Sequence, residues 1–111
     1  VQVVNRKMFP AGQQIFKSGD PAHQAYLIQI GEVEISRDSP SGKQVLAKLG
    51  QNAIFGEMAL IDGKPRSASA TALVDTTLII INKGRFENLM ENADPFLRGL
   101  LKVLAGRLRT Q

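Results

Sequence analysis

Tyr26-Leu27-Ile28-Gln29-Ile30-Gly31-Glu32-Val33-Glu34-Ile35-Ser36 is the stretch that decides the fold class. Apolar residues fall at every second position on both sides of Gly31: Tyr26, Ile28 and Ile30 before it, then Val33 and Ile35 between Glu32, Glu34 and Ser36. Successive side chains point to opposite faces of a strand. The pattern therefore predicts two strands, each with one buried face, and Glu32 and Glu34 on the solvated side. Val45, Ala47 and Leu49 repeat the alternation. Thr76 to Asn82 is more continuously apolar, which predicts a central strand covered on both sides. Turn signals punctuate these runs, among them Pro10-Ala11-Gly12, Ser18-Gly19-Asp20-Pro21, Ser39-Pro40-Ser41-Gly42 and Asp62-Gly63-Lys64-Pro65. Short strands joined by turns at this spacing predict a mainly β chain, an antiparallel barrel or jelly roll.

The periodicity changes after Asn82. Phe86, Leu89 and Met90 within residues 83–90 stand at helical spacing, and Asp94-Pro95 opens a further helix. Asp serves there as N-cap, and Pro takes the first helical position, where its missing N–H costs nothing. Phe96, Leu97, Leu100, Leu101, Leu104 and Leu108 then form an i, i+3, i+4 stripe, while Arg98, Lys102 and Arg109 point elsewhere. Gly99 and Gly106 each weaken that helix by roughly 1 kcal/mol relative to alanine. The 111 residues are expected to form one domain, with a β-barrel over about 8–82 and C-terminal helices over 83–111. A start at Val1 rather than methionine suggests a piece of a longer protein.

Composition narrows the chemistry. Hydrophobic residues make up 43% and charged residues 22%, as in a soluble globular domain with its own core. Without cysteine there is no disulfide, thiolate metal site or cysteine nucleophile, and one histidine rules out a histidine-rich metal site. His23 sits in a turn with no serine or carboxylate pattern beside it, and the glycine–lysine phosphate loop of nucleotide hydrolases is absent. No enzyme activity is expected. Apolar runs such as Leu78 to Ile81 are far short of the roughly 20 residues needed to cross a bilayer, and a cytoplasmic location without membrane contact is expected. The net charge of +4 lies wholly in Arg98, Lys102, Arg107 and Arg109, since residues 1–97 carry ten cations and ten acids. Cations near a helix C-terminus suit its dipole, and with no aromatic among them they are a weak footprint for nucleic acid, so no direct nucleic-acid contact is expected.

The chemistry concentrates in Phe55-Gly56-Glu57-Met58-Ala59-Leu60-Ile61-Asp62-Gly63-Lys64-Pro65-Arg66-Ser67-Ala68-Ser69-Ala70-Thr71. Gly56 lets a ligand approach the main chain, and the helix formers from Glu57 to Leu60 begin a short helix whose first N–H groups lack acceptors. Arg66 then supplies a guanidinium, the group best suited to a bidentate grip on phosphate. Ser67, Ser69 and Thr71 alternate with Ala68, Ala70 and Ala72. Such a strand lines a cavity with its hydroxyls, or else makes a tight contact to a neighbouring element or faces solvent. Glu57 suits a sugar hydroxyl, as acidic residues grip ribose in dinucleotide folds; its alternative is a surface ion pair with Arg66. One phosphate grip, one hydroxyl grip and space for a ring describe a nucleotide.

The run F-G-E-M-A-L, followed after a short loop by P-R-S-A, resembles the phosphate-binding cassette of the cyclic nucleotide-binding domain family. That family includes bacterial catabolite-activator-type regulators, cyclic-nucleotide-gated channels and the regulatory subunits of cyclic-AMP-dependent kinase. The resemblance covers nearly the whole chain: Phe9, Gly12, Ile15, Gly19, Tyr26, Ile28, Gly31, Val33, Leu49, Gly50 and the Phe86 helix stand where the family has barrel glycines, core positions and its first C-terminal helix. It implies an antiparallel β jelly-roll barrel (double-stranded β-helix) with a short cassette helix and C-terminal helices, and a sensor for cyclic AMP, or for cyclic GMP, that needs no cofactor and holds no metal. Glu57 would accept from the ribose 2′-hydroxyl and Arg66 would hold the cyclic phosphate. Ser67 and the main-chain N–H groups of Gly56, Ala59 and Ala68 would complete the cradle, with Met58 a further ligand-binding residue. Many members that have lost nucleotide binding lack the arginine or the glutamate; this chain keeps both.

The family's last helix closes over the base and transmits binding to an output domain, here outside the chain. That lid role would fall to the leucine stripe, with Leu104, Arg107 and Arg109 as base contacts. The same stripe also suits packing on the barrel or homodimerisation through the C-terminal helix. The alternative function is an interaction module of the same fold with an unused cassette, or the sensor part of a transcription regulator.

Overall fold

Two four-stranded antiparallel sheets make up the β portion of the computed structural model, which describes residues 5–100 and 103. One sheet runs β1 (Arg6–Phe9), β8 (Thr76–Asn82), β3 (Gln24–Ile30), β6 (Ile54–Phe55). The other runs β2 (Gln14–Phe16), β7 (Ser69–Ala72), β4 (Val33–Ser39), β5 (Gly42–Leu49). The chain crosses repeatedly from one sheet to the other, and only β4 and β5 are a hairpin of adjacent strands. This is the expected mainly β jelly-roll architecture, with the sheets stacked rather than joined edge to edge by hydrogen bonds among the described residues. A short helix, α1 (Met58–Asp62), interrupts the path from β6 to β7, and α2 (Lys83–Glu91) follows β8 and packs on β3 and β8.

The core lies between the sheets and contains Phe9, Tyr26, Ile28, Val33, Phe55, Ala70, Ala72 and Leu78. Tyr26, Ile28 and Val33 are the inward residues expected from the alternation, but two others are turned out by bulges. The register of β3 against β8 shifts between Ile28 and Ile30, so Ile30 lies opposite Thr77 and is 62% exposed. Likewise β4 and β5 shift between Ile35 and Ser36, which pairs Val45 with Ser36 and leaves Val45 46% exposed. An extra residue in one strand reverses every face beyond it, and alternation alone cannot reveal where that happens.

Glu34 also departs from expectation. It is 6% exposed instead of solvated, because β4 is an interior strand and Glu34 lies between Lys48 of β5 and Thr71 of β7. Lys43 Nζ, 2.6 Å away, neutralises it. β8 is central as expected, between β1 and β3, but only Thr76 and Leu78 are fully buried; Ile79 and Ile81 remain partly exposed.

Asp94 caps a helix as expected, and the structure adds a second cap at Asn82. Asn82 Oδ1 accepts from Arg85 N–H at 2.8 Å, and Asp94 Oδ1 accepts from Phe96 N–H at 2.8 Å at the head of the helical residues 95–100. Phe86 and Met90 are half-buried, while Leu89, Phe96, Leu97 and Leu100 are exposed. Leu101, Leu104, Arg107, Leu108 and Arg109 lie outside the described residues.

Candidate functional site

Phe55 pairs with Tyr26 across the β6–β3 ladder, and the chain then turns sharply at Gly56. Gly56 has φ +78°, and a Cβ there would stand 2.7 Å from Arg66 Nη1 and 3.3 Å from both Phe16 Cε2 and Tyr26 Cδ2. Conformation and space both demand glycine. Glu57 precedes the first turn of α1, whose Ala59 and Leu60 are buried. Gly63, in the left-handed conformation, ends the helix by donating its N–H to Ala59 O. The returning strand is tied to the turn before β3: Arg66 N–H donates to Asp20 O at 2.9 Å, and Gly19 N–H to Arg66 O at 2.8 Å.

This backbone tie brings the Arg66 guanidinium inside the fold. Arg66 is 5% exposed, with Nη1 donating to Gly56 O and Nη2 to Gln24 O, each at 2.5 Å. Its guanidinium carbon lies 4.1 Å from the Phe16 ring centroid and 5.7 Å from that of Tyr26. These aromatic faces and carbonyls surround the cation with partial negative charge in a place water scarcely reaches.

A cavity of about 440 Å³ opens beside it. Gly56, Glu57, Met58, Ala59, Arg66, Ser67 and Ala68, the residues expected from the cassette, all line it. The opposite walls are Ile35, Ala47, Leu49 and Ile54, with Phe16 alongside, and no local motif announced these five as site residues; Phe55, the first residue of the cassette run, joins them. Strands β4, β5 and β6 deliver most of them, so their common cavity depends on pairings far apart in sequence. Ser67 is exposed at the cavity rim. The hydroxyl strand is otherwise reversed from a cavity-lining reading: Ala68, Ala70 and Ala72 are buried, while Ser69 Oγ accepts from Ser18 N–H at 2.9 Å.

Glu57 is half-buried at the polar end of the cavity. Burial raises its carboxyl above the ordinary glutamate range, outweighing a bond to its own backbone N–H and the attraction of Arg66. Since Arg66 is buried, the two do not make the surface ion pair that was the alternative reading. The ionised carboxylate is a cost to the empty fold: stability from this group is full below its unfolded pKa and is lost as pH rises through the raised value. Glu57→Gln is therefore expected to stabilise the unliganded domain at neutral pH, with the advantage vanishing on acidification; parallel thermal melts across the acidic range check this.

Among the described residues, no group of three His, Asp or Glu side chains is placed to hold a metal. No described helix is long and apolar enough to cross a membrane. The arrangement is a cation, a helix start and a carboxylate at one end of an apolar slot. It can hold an anion, accept from a hydroxyl and cover a flat apolar ring.

Comparison with known proteins gives the same picture. The family model described as the cyclic nucleotide-binding domain matches residues 6–93. The Cyclic AMP receptor protein of Thermus thermophilus is 37% identical over 105 residues, covering 94% of this chain and 49% of that protein. A CRP-like cAMP-activated global transcriptional regulator of Mycobacterium tuberculosis is 32% identical over 102 residues, covering 91% of this chain and 46% of that protein. The chain thus spans about half the length of these relatives. Among solved structures, the cAMP-bound form of the EAL enzyme Bd1971 superposes with a TM-score of 0.89 at 39% identity, covering 96% of this chain and 29% of that one. With a buried arginine at the cassette, a jelly-roll frame and a family match over most of its length, this chain belongs to the cyclic nucleotide-binding domain family.

Proposed function

We propose that the chain is a sensor domain that binds a cyclic nucleotide, cyclic AMP or cyclic GMP, and does no chemistry on it. The observation that carries this reading is Arg66: a buried guanidinium at the polar end of the cavity, beside the first turn of α1. A cyclic phosphate would take the guanidinium and the amides around Met58 and Ala59, and a ribose hydroxyl would donate to Glu57. The base would lie along Ile35, Ala47, Leu49 and Ile54, which offer it apolar contact and no hydrogen bond. Bd1971 supports either base, since its cGMP-bound form also superposes, with a TM-score of 0.90 at 39% identity, covering 95% of this chain and 28% of that one.

A ligand of about twenty heavy atoms supplies on the order of −7 kcal/mol at ordinary ligand efficiency, or roughly micromolar affinity. That energy shifts a two-state equilibrium only in so far as the ligand prefers one state. In this proposal the preferred state has the C-terminal helix closed over the base, through Leu104, Arg107 or Arg109, and an output domain beyond the chain reads the closure. The relatives named as transcriptional regulators motivate that coupling.

Titration calorimetry with cyclic AMP and cyclic GMP, with linear 5′-AMP as control, tests the reading. Saturable binding of a cyclic nucleotide and weak or no binding of 5′-AMP are expected. No heat and no thermal shift at millimolar ligand would make the domain a docking module with a silent cassette. In the same assay Ser67→Ala is expected to weaken cyclic GMP more than cyclic AMP, by roughly tenfold for one lost hydrogen bond, if its hydroxyl reads guanine. Equal losses would confine Ser67 to the phosphate.

A further inference from the structure

We infer that Phe16 is a positioning residue for the site, a rigid aromatic platform that sets the plane of the Arg66 guanidinium. The inference rests on the reading of Arg66 as the phosphate grip. The bonds from Nη1 to Gly56 O and from Nη2 to Gln24 O fix how the guanidinium is turned within its own plane. They leave the tilt of that plane to the surface beneath it, and that surface is the Phe16 ring, 4.1 Å from the guanidinium carbon. A cation held over an aromatic face at this distance is attracted by the ring quadrupole, and a planar fork needs a fixed plane to meet two phosphate oxygens together.

Phe16 is itself held. Its ring lies against Tyr26 at 5.8 Å and Phe55 at 6.0 Å between centroids, tilted by 31° and 38°. Those two rings stack on each other at 5.0 Å. Gly56 closes the remaining side, where even a Cβ would come within 3.3 Å of Phe16 Cε2. Phe16 nevertheless lines the cavity and is only half-buried, so its ring is placed between the core and the site. Its backbone reaches this place from β2, where pairing with β7 shifts between Gln14 and Phe16 and sets Phe16 opposite Ala70, whose small side chain leaves room for the ring.

The test is a set of cyclic AMP titrations on the full chain with Phe16→Leu, Phe16→Trp, Arg66→Lys and the Phe16→Leu/Arg66→Lys double variant, each first checked by thermal melting. Phe16→Leu keeps apolar bulk and loses the aromatic face; it is expected to weaken binding about tenfold, while Phe16→Trp stays within about threefold of the parent. Lysine cannot lie flat on the ring, so Phe16→Leu is expected to cost less than about threefold in the Arg66→Lys background. If Phe16→Leu does not fold, Phe16→Met takes its place. Wild-type affinity in Phe16→Leu, failure of Phe16→Trp to restore binding, or an undiminished tenfold loss in the lysine background would each overturn the platform role. Those results, with Arg66→Lys still weakening binding, would leave the phosphate grip standing; unchanged affinity in Arg66→Lys would remove the grip and the platform with it.

Discussion

Arg66→Ala is expected to weaken cyclic nucleotide binding by roughly 2 to 5 kcal/mol, about 30- to 4,000-fold, because the phosphate would enter the cradle without its charged partner. The structure adds a second consequence. Arg66 also joins three parts of the empty fold: the cassette through Gly56 O, the start of β3 through Gln24 O, and β2 through the Phe16 ring. Alanine would leave two half-buried carbonyls without these donors, at a cost of roughly 2 kcal/mol to the unliganded domain. For a domain of this size that lowers the melting midpoint by roughly 10 °C. Calorimetry and melting therefore separate the two roles. Affinity that survived the substitution would remove the assignment of Arg66 to phosphate, whereas an unchanged melting midpoint would show that only the ligand needs the arginine.

Gly31→Ala is expected to be the most damaging change to the fold away from the cavity. Gly31 turns β3 into β4 at φ +116°, a conformation that L side chains rarely adopt. An added Cβ would lie 2.7 Å from Thr76 Cα, which belongs to a backbone that cannot swing aside. Thr76 is 1% exposed, and its hydroxyl accepts from Glu32 N–H at 3.2 Å and donates to Val74 O at 2.8 Å. Alanine would strain the turn and push on the hydroxyl network that binds it to β8, costing about 3 kcal/mol or more. Urea unfolding measures this directly. A loss below about 1 kcal/mol would mean that the β3–β4 turn and Thr76 yield together instead of holding the two sheets in register.

Much of this was legible in the residues. Alternation from Tyr26 to Ser36 identified strands, Asp94 marked a helix start that the structure keeps, and the cassette residues Gly56 to Ala59 and Arg66 to Ala68 gather around one cavity. These are local properties, written in periodicity, capping and glycine placement within a few neighbours. Misreadings arose where an outcome depended on a partner strand. Ile30 and Val45 face outward because bulges reset the register, and Glu34 is buried because β4 has neighbours on both sides.

The sequence alone therefore determined the mainly β class and the chemistry of the charged end of the cavity, because a glycine, a carboxylate and an arginine at short spacing keep their meaning wherever the segment lies. Only the tertiary structure decided what surrounds that chemistry. Phe16 lies under a guanidinium fifty positions further along the chain, and Ile35, Ala47, Leu49 and Ile54 share a wall through strand pairing. Such contacts follow from register and sheet stacking, to which no local run of residues is answerable.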